Sequence, residues 1–292
     1  MPEFLLKIEG DIHTLSTPWV MGILNITPDS FYAKSRLDAP AEAAKKAAQM
    51  LQDGARIIDV GAYSSRPGAA PVSTQEEWNR LQDILPAVSE QVQRVPGAFI
   101  SVDTFRAEVA QKALSAGAHI INDISGGNLD PEIYTVAATF QAPYIMMHMQ
   151  GDPSTMQNNP TYTHVTQDIV KFFSEKLPML HDMGVHDTIV DVGFGFGKTL
   201  DHNYQLLREL NAFQLLGRPI LSGVSRKSMI YKALGATAEE ALNGTTALHM
   251  AALVGGSQIL RVHDVKEAVE TITLFQHLYP QGITHVLPAW ER

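Results

Sequence analysis

The sequence predicts an α/β protein of the (β/α)8 barrel class, the TIM-barrel architecture, with a short N-terminal β-hairpin leader. The whole chain, 1–292, reads as one domain, with the hairpin in 1–17 and the barrel in 18–292. Three observations carry this. Eight short segments rich in Val, Ile, Met and Ala recur along the chain. Helical stretches closed by glycine lie between them. No Gly/Ser linker, low-complexity tract or charge block marks a second domain. Eight units over 292 residues take about 36 residues each, enough for strand, loop, helix and return loop.

In chain order, the predicted strands are Trp19–Thr27, Arg56–Ala62, Phe99–Thr104, Ile120–Ser125, Pro143–Met149, Thr188–Phe194, Pro219–Ser225 and Ser257–Asp264. Most are continuous apolar runs rather than alternations, which suits parallel strands covered on both faces. Helices are predicted over Pro40–Asp53, closed by Gly54, and Ala107–Ala116, closed by Gly117. Two more run over Val165–Met183, closed by Gly184, and His202–Leu216, closed by Gly217. Glycine directly after a helix is a C-cap signature. Pro178 falls inside the third helix and is expected to kink or split it. The first 17 residues precede the repeating unit and are expected to form a hairpin that closes the bottom of the barrel. The rival arrangement is an open doubly wound sheet. It normally carries a glycine fingerprint after its first strand, and Asn25–Phe31 is not one.

Composition narrows the function. The chain holds 22 Lys+Arg against 31 Asp+Glu, a formal net charge of −9, without a basic tail. That balance argues against nucleic acid or an anionic membrane as a partner. Cysteine is absent, which removes disulfides, thiolate nucleophiles, Cys-ligated zinc and iron–sulfur clusters. No stretch approaches 18 consecutive apolar residues, and the first residues are acidic rather than signal-like, so the expected location is the cytoplasm.

Nearly every predicted strand ends in a polar group: Asn25, Asp59, Asp103, Asn122 with Asp123, His148, Asp191, Ser222 to Lys227, and Arg261 to Asp264. In a barrel these ends share one rim, where active sites are built. Alternate residues share a strand face, so Ser101 pairs with Asp103, Met146 with His148, and Arg261 with His263. Arg261 and His263 read either as an anion clamp or as a salt bridge to Asp264 or a neighbouring carboxylate. Asp103 and Asp191 suit a metal pair, a glycosidase pair, or acceptors for a ligand rich in N–H groups. A histidine between methionines, such as His148, is more often packed than ligating. Gly193 to Thr199 fails the phosphate-loop pattern, because Val192 stands where the first glycine belongs. It remains a flexible loop, with Phe194 and Phe196 available to cover a planar ligand. Ser225-Arg-Lys227-Ser228 opens a helix, where free N–H groups favour an anion. Lys227 reads as a Schiff-base lysine, a point-charge donor or a surface lysine.

As an ordered set, eight segments resemble the dihydropteroate synthase family. They are MGILNITPDSF (21–31), SSRPGA (64–69), SVDT (101–104), INDISGG (121–127), MMHMQGDPSTMQ (146–157), GFGFGK (193–198), SRKS (225–228) and RVHDV (261–265). The resemblance implies a barrel, a homodimer, and condensation of (7,8-dihydropterin-6-yl)methyl diphosphate with 4-aminobenzoate to give 7,8-dihydropteroate and diphosphate. It implies that Asp103, Asn122, Asp191 and Lys227 hold the pterin and that Met146 and Phe196 line its pocket. Asn25, Arg261 and His263 would hold the diphosphate with Mg²⁺, Asn25 as the metal ligand. Thr27 to Phe31 form a first substrate loop, and Ser65, Arg66 and Pro67 lie in a second. Ser228 would receive the aminobenzoate carboxylate, and sulfonamides would inhibit. Lys227, Arg261, His263 and Asp103 are the expected catalytic group. The nearest alternatives are a methyltetrahydrofolate corrinoid methyltransferase-like barrel, which needs no diphosphate clamp, and a non-catalytic pterin-binding paralogue. Three departures stand out: Gly61-Ala-Tyr63-Ser-Ser65 for the family's Gly-Gly-Glu-Ser-Thr, Val192 for a proline, and Tyr32-Ala-Lys-Ser for Ser-Asp-Gly-Gly. All three touch loops, so they bear on aminobenzoate and sulfonamide affinity.

Overall fold

An antiparallel hairpin, β1 (Phe4–Ile8) and β2 (Asp11–Leu15), leads the chain. In the computed structural model, which describes residues 3–26, 39–64, 72–152, 156 and 159–283, eight parallel strands then close into a barrel. They are β3 (Trp19–Asn25), β4 (Ile57–Gly61), β5 (Phe99–Asp103), β6 (Ile120–Asp123), β7 (Tyr144–Met147), β8 (Thr188–Asp191), β9 (Ile220–Ser222) and β10 (Ile259–Val262). They follow chain order around the barrel, and β10 pairs with β3 to close it. The outer layer contains α1 (Ala39–Gln52), α2 (Thr74–Leu81), α3 (Ile84–Val92), α4 (Ala107–Ser115), α5 (Glu132–Phe140) and α6 (Val165–Asp182). It continues with α7 (Leu200–Arg208), α8 (Ser228–Leu234), α9 (Leu242–Val254) and α10 (Val265–Leu278).

Each predicted strand is present, and most run past their observed C-terminal ends in the prediction. The reason is local. Asp191 accepts a hydrogen bond from the Gly193 N–H, and Asp123 accepts from the N–H groups of Ser125 and Gly127. A carboxylate that captures the next backbone donors turns the chain out of the sheet. The predicted helix His202–Leu216 is two elements. Thr199 caps α7 through the His202 N–H, which moves the start back to Leu200, and the chain after Glu209 tightens into a 3₁₀ turn over Leu210–Leu216. Pro178 does not split α6. Pro178 and Ser174, whose carbonyl the ring leaves without a donor, both face solvent, while Ile169, Phe173, Leu177 and Leu180 hold the other face in the core.

Two apolar layers result. Outward residues of the strands pack on helix stripes such as Ala39, Ala43, Ala47 and Leu51 of α1. Gly22 lets α1 approach, since a Cβ there would meet the Met50 sulfur at 2.9 Å. Inside the barrel, Met21, Ile57, Phe99, Ile120, Ile145, Ile189, Leu221 and Ile259 form one buried cluster with Leu6, Ile8 and Leu15 of the hairpin. The hairpin is therefore the plug that the sequence predicts, and it fixes which barrel end is open.

Candidate active site at the barrel mouth

Two residues beyond that apolar ring, the same inward strand faces turn polar: Ile57 is followed by Asp59, Phe99 by Ser101 and Asp103, Ile120 by Asn122, Ile189 by Asp191, and Ile259 by Arg261. Register brings them together. Gly61 pairs with Asp103, Asp103 with Asn122, and Met147 with Asp191. Gly61 is needed beside Asp103, because an added Cβ would lie 3.1 Å from the Asp103 Cβ.

Arg261 is the hub. Its Nε donates to Asp59 Oδ2 at 2.7 Å and its Nη2 to Asp103 Oδ2 at 2.6 Å. Asn122 Nδ2 donates to the same Asp59 oxygen at 3.1 Å. Burial opposes the Arg261 charge, but Asp59 and Asp103 outweigh it and hold the guanidinium above its ordinary range. Burial pushes Asp103 up to about 7, against the pull of Arg261, with Asp59 adding to the rise. Burial likewise raises Asp191, opposed by Lys227. Across the mouth, the Lys227 ammonium donates to the Phe194 carbonyl and stands 4.7 Å from the centre of the Phe196 ring. Burial lowers Lys227 to about 8, against the attraction of Asp191. At neutral pH it is a charged donor rather than a free amine. Phe196 and Phe105 pack on Ile124, Met147, Met149 and Met156, which form a separate apolar wall.

The structure corrects three details of the sequence reading. Met146 does not line the mouth. It is fully buried in the core between barrel and helices, and Met147 supplies the inward side chain. Phe194 is buried in that outer core too, so Phe196 alone of the two faces the mouth. Arg261 and His263 do not form one clamp. The strand alternation ends at Val262, Arg261 bonds inward, and the exposed His263 lies with Nδ1 3.1 Å from Ser225 Oγ. Of the salt-bridge alternatives the neighbouring carboxylate is the one formed, since Arg261 pairs with Asp59 and Asp103, while Asp264 is paired with Arg226 by two 2.8 Å bonds. Asp59 was missed as a site residue. Its signal was the two-residue step from Ile57, the same step that separates Phe99 from Ser101. His148 is packed, as its methionine neighbours suggest, against Phe172 and Lys198. Ser228 begins α8, directly after Lys227. Thr27, Phe31, Ser65, Arg66 and Pro67 lie outside the described residues.

Asn25 ends β3 at the same rim, paired with Gly61. Among the described residues no group of three His, Asp or Glu side chains forms a metal cage. One carboxamide oxygen beside a carboxylate-lined mouth fits Mg²⁺, which keeps most of its waters and takes few protein ligands plus phosphate oxygens.

Comparison with known proteins agrees with this geometry. The model of the pterin binding enzyme family matches residues 21–263. A dihydropteroate synthase of Escherichia coli K12 is 43% identical over 273 residues, covering 93% of this chain and 95% of that protein. Among solved structures, a Yersinia pestis dihydropteroate synthase in a sulfonamide drug complex superposes with a TM-score of 0.85 at 39% identity, covering 95% of this chain and all of that one. A Thermus thermophilus dihydropteroate synthase in complex with 4-aminobenzoate gives a TM-score of 0.84 at 35% identity, covering 94% and 100%.

Proposed function

The chain belongs to the dihydropteroate synthases, within the pterin binding enzymes, and from that premise we propose how its barrel mouth carries the reaction. The enzyme joins 4-aminobenzoate to (7,8-dihydropterin-6-yl)methyl diphosphate, releasing diphosphate and giving 7,8-dihydropteroate. The observation that carries the residue assignment is the polar layer itself: buried Asp59, Asn122 and Asp191 with Asp103, Lys227 and Arg261, set directly above an apolar floor.

The aminopyrimidinone edge of the pterin presents adjacent N–H donors. Asp191, buried and flanked by Lys227, is the acceptor for them, and the Lys227 ammonium donates to the ring's carbonyl side. Asn122 is held by Asp59, which fixes its amide for the opposite ring edge. Phe196, Met147 and Phe105 form the apolar wall against the ring faces. Arg261 holds Asp103 in place and opposes its protonation; toward the departing diphosphate, Arg261 would act from within the mouth and His263 from the exposed rim. Asn25 would hold Mg²⁺ there, and the metal when bound neutralises charge growing on the departing diphosphate. Ser228 receives the aminobenzoate carboxylate at the first turn of α8. An aniline nitrogen is a weak nucleophile, and the mouth offers carboxylates rather than a strong base. We therefore read the step as dissociative. The C–O bond to diphosphate breaks first, the pterin methylene cation is stabilised by Asp103, the amine then adds and loses its proton. Enzyme given pterin diphosphate and Mg²⁺ without aminobenzoate releases pyrophosphate in this account; a strict requirement for aminobenzoate contradicts it.

Sulfonamides compete for the aminobenzoate subsite, in line with the drug complex of the Yersinia relative. The protein acts in the cytoplasm; no helix among the described residues is long and apolar enough to cross a membrane. A homodimer fits Leu274 and Leu278, one turn apart on α10, which stand 60% and 65% exposed. The test of the whole reading is formation of dihydropteroate, identified by mass, from pterin diphosphate, 4-aminobenzoate and Mg²⁺. Absence of product, or methyl transfer from methyltetrahydrofolate instead, overturns it.

A further inference from the structure

Lys198 is a buried amine to which the reaction above gives no task; burial lowers it to about 7, against the attraction of Asp191. It follows the loop Gly193–Gly197, is 4% exposed, and forms no ion pair among the described residues. Its ammonium meets three acceptors: His148 Nδ1 at 3.1 Å, the His148 carbonyl at 3.3 Å and the Phe196 carbonyl at 3.0 Å. In its protonated form the side chain has three N–H donors, and the three acceptors match them, which favours that form against burial. A donor at Nδ1 assigns His148 as a neutral imidazole with its proton on Nε2, consistent with the burial and Lys198 charge that push this histidine far below its ordinary range.

The same loop is tied down elsewhere. The Gly195 N–H donates to Asn203 Oδ1 at 2.7 Å, and the Gly197 carbonyl accepts from the Tyr162 hydroxyl at 2.7 Å. Gly193, at φ +71°, is pressed so closely on this anchor that a Cβ would lie 3.2 Å from the Lys198 ammonium. The opposite side of the loop faces the mouth, where the Phe194 carbonyl and the Phe196 ring meet Lys227. Two lysines thus grip one loop from its two sides, and both act electrostatically on Asp191.

We propose that Lys198, held by His148, is a positioning residue that fixes the Gly193–Gly197 loop so that the Phe196 ring and the Phe194 carbonyl shape the pterin end of the site. This rests on the pterin reading of the mouth given above. A three-point anchor explains why a polar side chain occupies a nearly dry position that an apolar one would otherwise fill.

Lys198→Met removes all three donors while keeping an unbranched stem of similar bulk. The expected result is a rise of about tenfold in KM for pterin diphosphate, with KM for 4-aminobenzoate moved less than about threefold. Because Lys198 acts through Phe196, the double variant with Phe196→Ala stays within about twofold of the worse single variant. A folded Lys198→Met enzyme with wild-type pterin KM overturns the proposal, and so do single effects that multiply in the double variant. Where Lys198→Met fails to fold, His148→Ala carries the test, since it removes the Nδ1 acceptor alone. A rise of about threefold in pterin KM supports the role and no rise overturns it. Calorimetric binding of 6-hydroxymethylpterin separates this from the reaction. A wild-type chain that binds it but makes no dihydropteroate contradicts the reaction; equal affinity in wild type and Lys198→Met contradicts the positioning role.

Discussion

The floor and the mouth of the barrel are built by the same eight strands, two residues apart, and they obey opposite rules. At the floor, Ile57, Phe99, Ile189 and Ile259 are fully or nearly fully buried and pack in one apolar cluster with the hairpin plug. At the mouth, Asp59, Asn122 and Asp191 are almost as buried yet carry polar groups, held by Arg261, Lys227 and the turning backbone. Apolar burial stabilises the fold by itself, whereas buried polar groups are tolerated only in matched sets. The difference teaches that the level of Met21 and Ile57 closes the barrel by apolar packing alone, and that recognition is built above it.

Breaking the mouth at its hub has the largest expected effect. Arg261→Ala leaves Asp59 and Asp103 buried without their counter-ion, a loss of about 3–5 kcal/mol in unfolding free energy. It also lowers kcat/KM by more than about tenfold, about 1.4 kcal/mol. Urea unfolding and steady-state kinetics check the two halves, and near-wild-type turnover removes Arg261 from the mechanism. The floor behaves in the converse way. Ile189→Ala loses about 2–5 kcal/mol of stability through the cavity it leaves, while kcat/KM at a temperature where the variant is folded stays within about threefold of wild type. A large kinetic loss in the folded variant would erase the distinction between the two layers.

The comparison also predicts pH behaviour, since the polar layer of the mouth holds buried titratable groups. Asp103 must be ionised to stabilise the methylene cation, and burial raises it to about 7, so pterin kcat/KM rises as pH increases through that value. Lys227 must be charged to donate, and burial lowers it to about 8, so activity falls as pH rises further. The stability contributions have their own signs. Folding favours protonated Asp103, so its contribution weakens as pH rises from the unfolded value to about 7. Folding favours neutral Lys227, so stability recovers as pH rises from about 8 toward the unfolded value. A bell-shaped profile is expected, with the alkaline limb displaced upward in Lys227→Arg. An unmoved alkaline limb assigns it to another group.

Much of this was legible in the sequence, and the errors share a cause. All eight strands, the plug and most mouth residues follow from apolar runs that end in polar groups. In Met146-Met147-His148-Met149, however, both faces of the strand are buried, so composition cannot say which methionine points inward; the register with Asp191 decides it. Phe194 and Phe196 presented the same ambiguity until the fold placed one in each layer. Asp59 looks like an ordinary strand-end carboxylate until Arg261, 202 positions away, is brought onto it. The pairing of Asp264 with Arg226 rather than Arg261 is equally a long-range fact.

The smallest expected effect lies at the rim, where the chain departs from the family pattern. Tyr63 stands edge-on to Phe105 at 5.1 Å and beneath the Arg106 guanidinium at 5.3 Å, beside the apolar wall rather than the polar layer. Tyr63→Ala is expected to change 4-aminobenzoate KM and sulfonamide inhibition by about threefold and to leave pterin KM unchanged. A pterin effect larger than the aminobenzoate effect would move Tyr63 from the rim into the floor of the pterin site.

The most direct test of the account is the rate of dihydropteroate formation by folded Lys227→Ala beside wild type, with product measured by mass under saturating 4-aminobenzoate and Mg²⁺. The account predicts product from the wild-type chain and a fall of more than about tenfold in pterin kcat/KM in the variant at a temperature where it is folded. Wild-type turnover by Lys227→Ala, or no product from the wild-type chain, contradicts it.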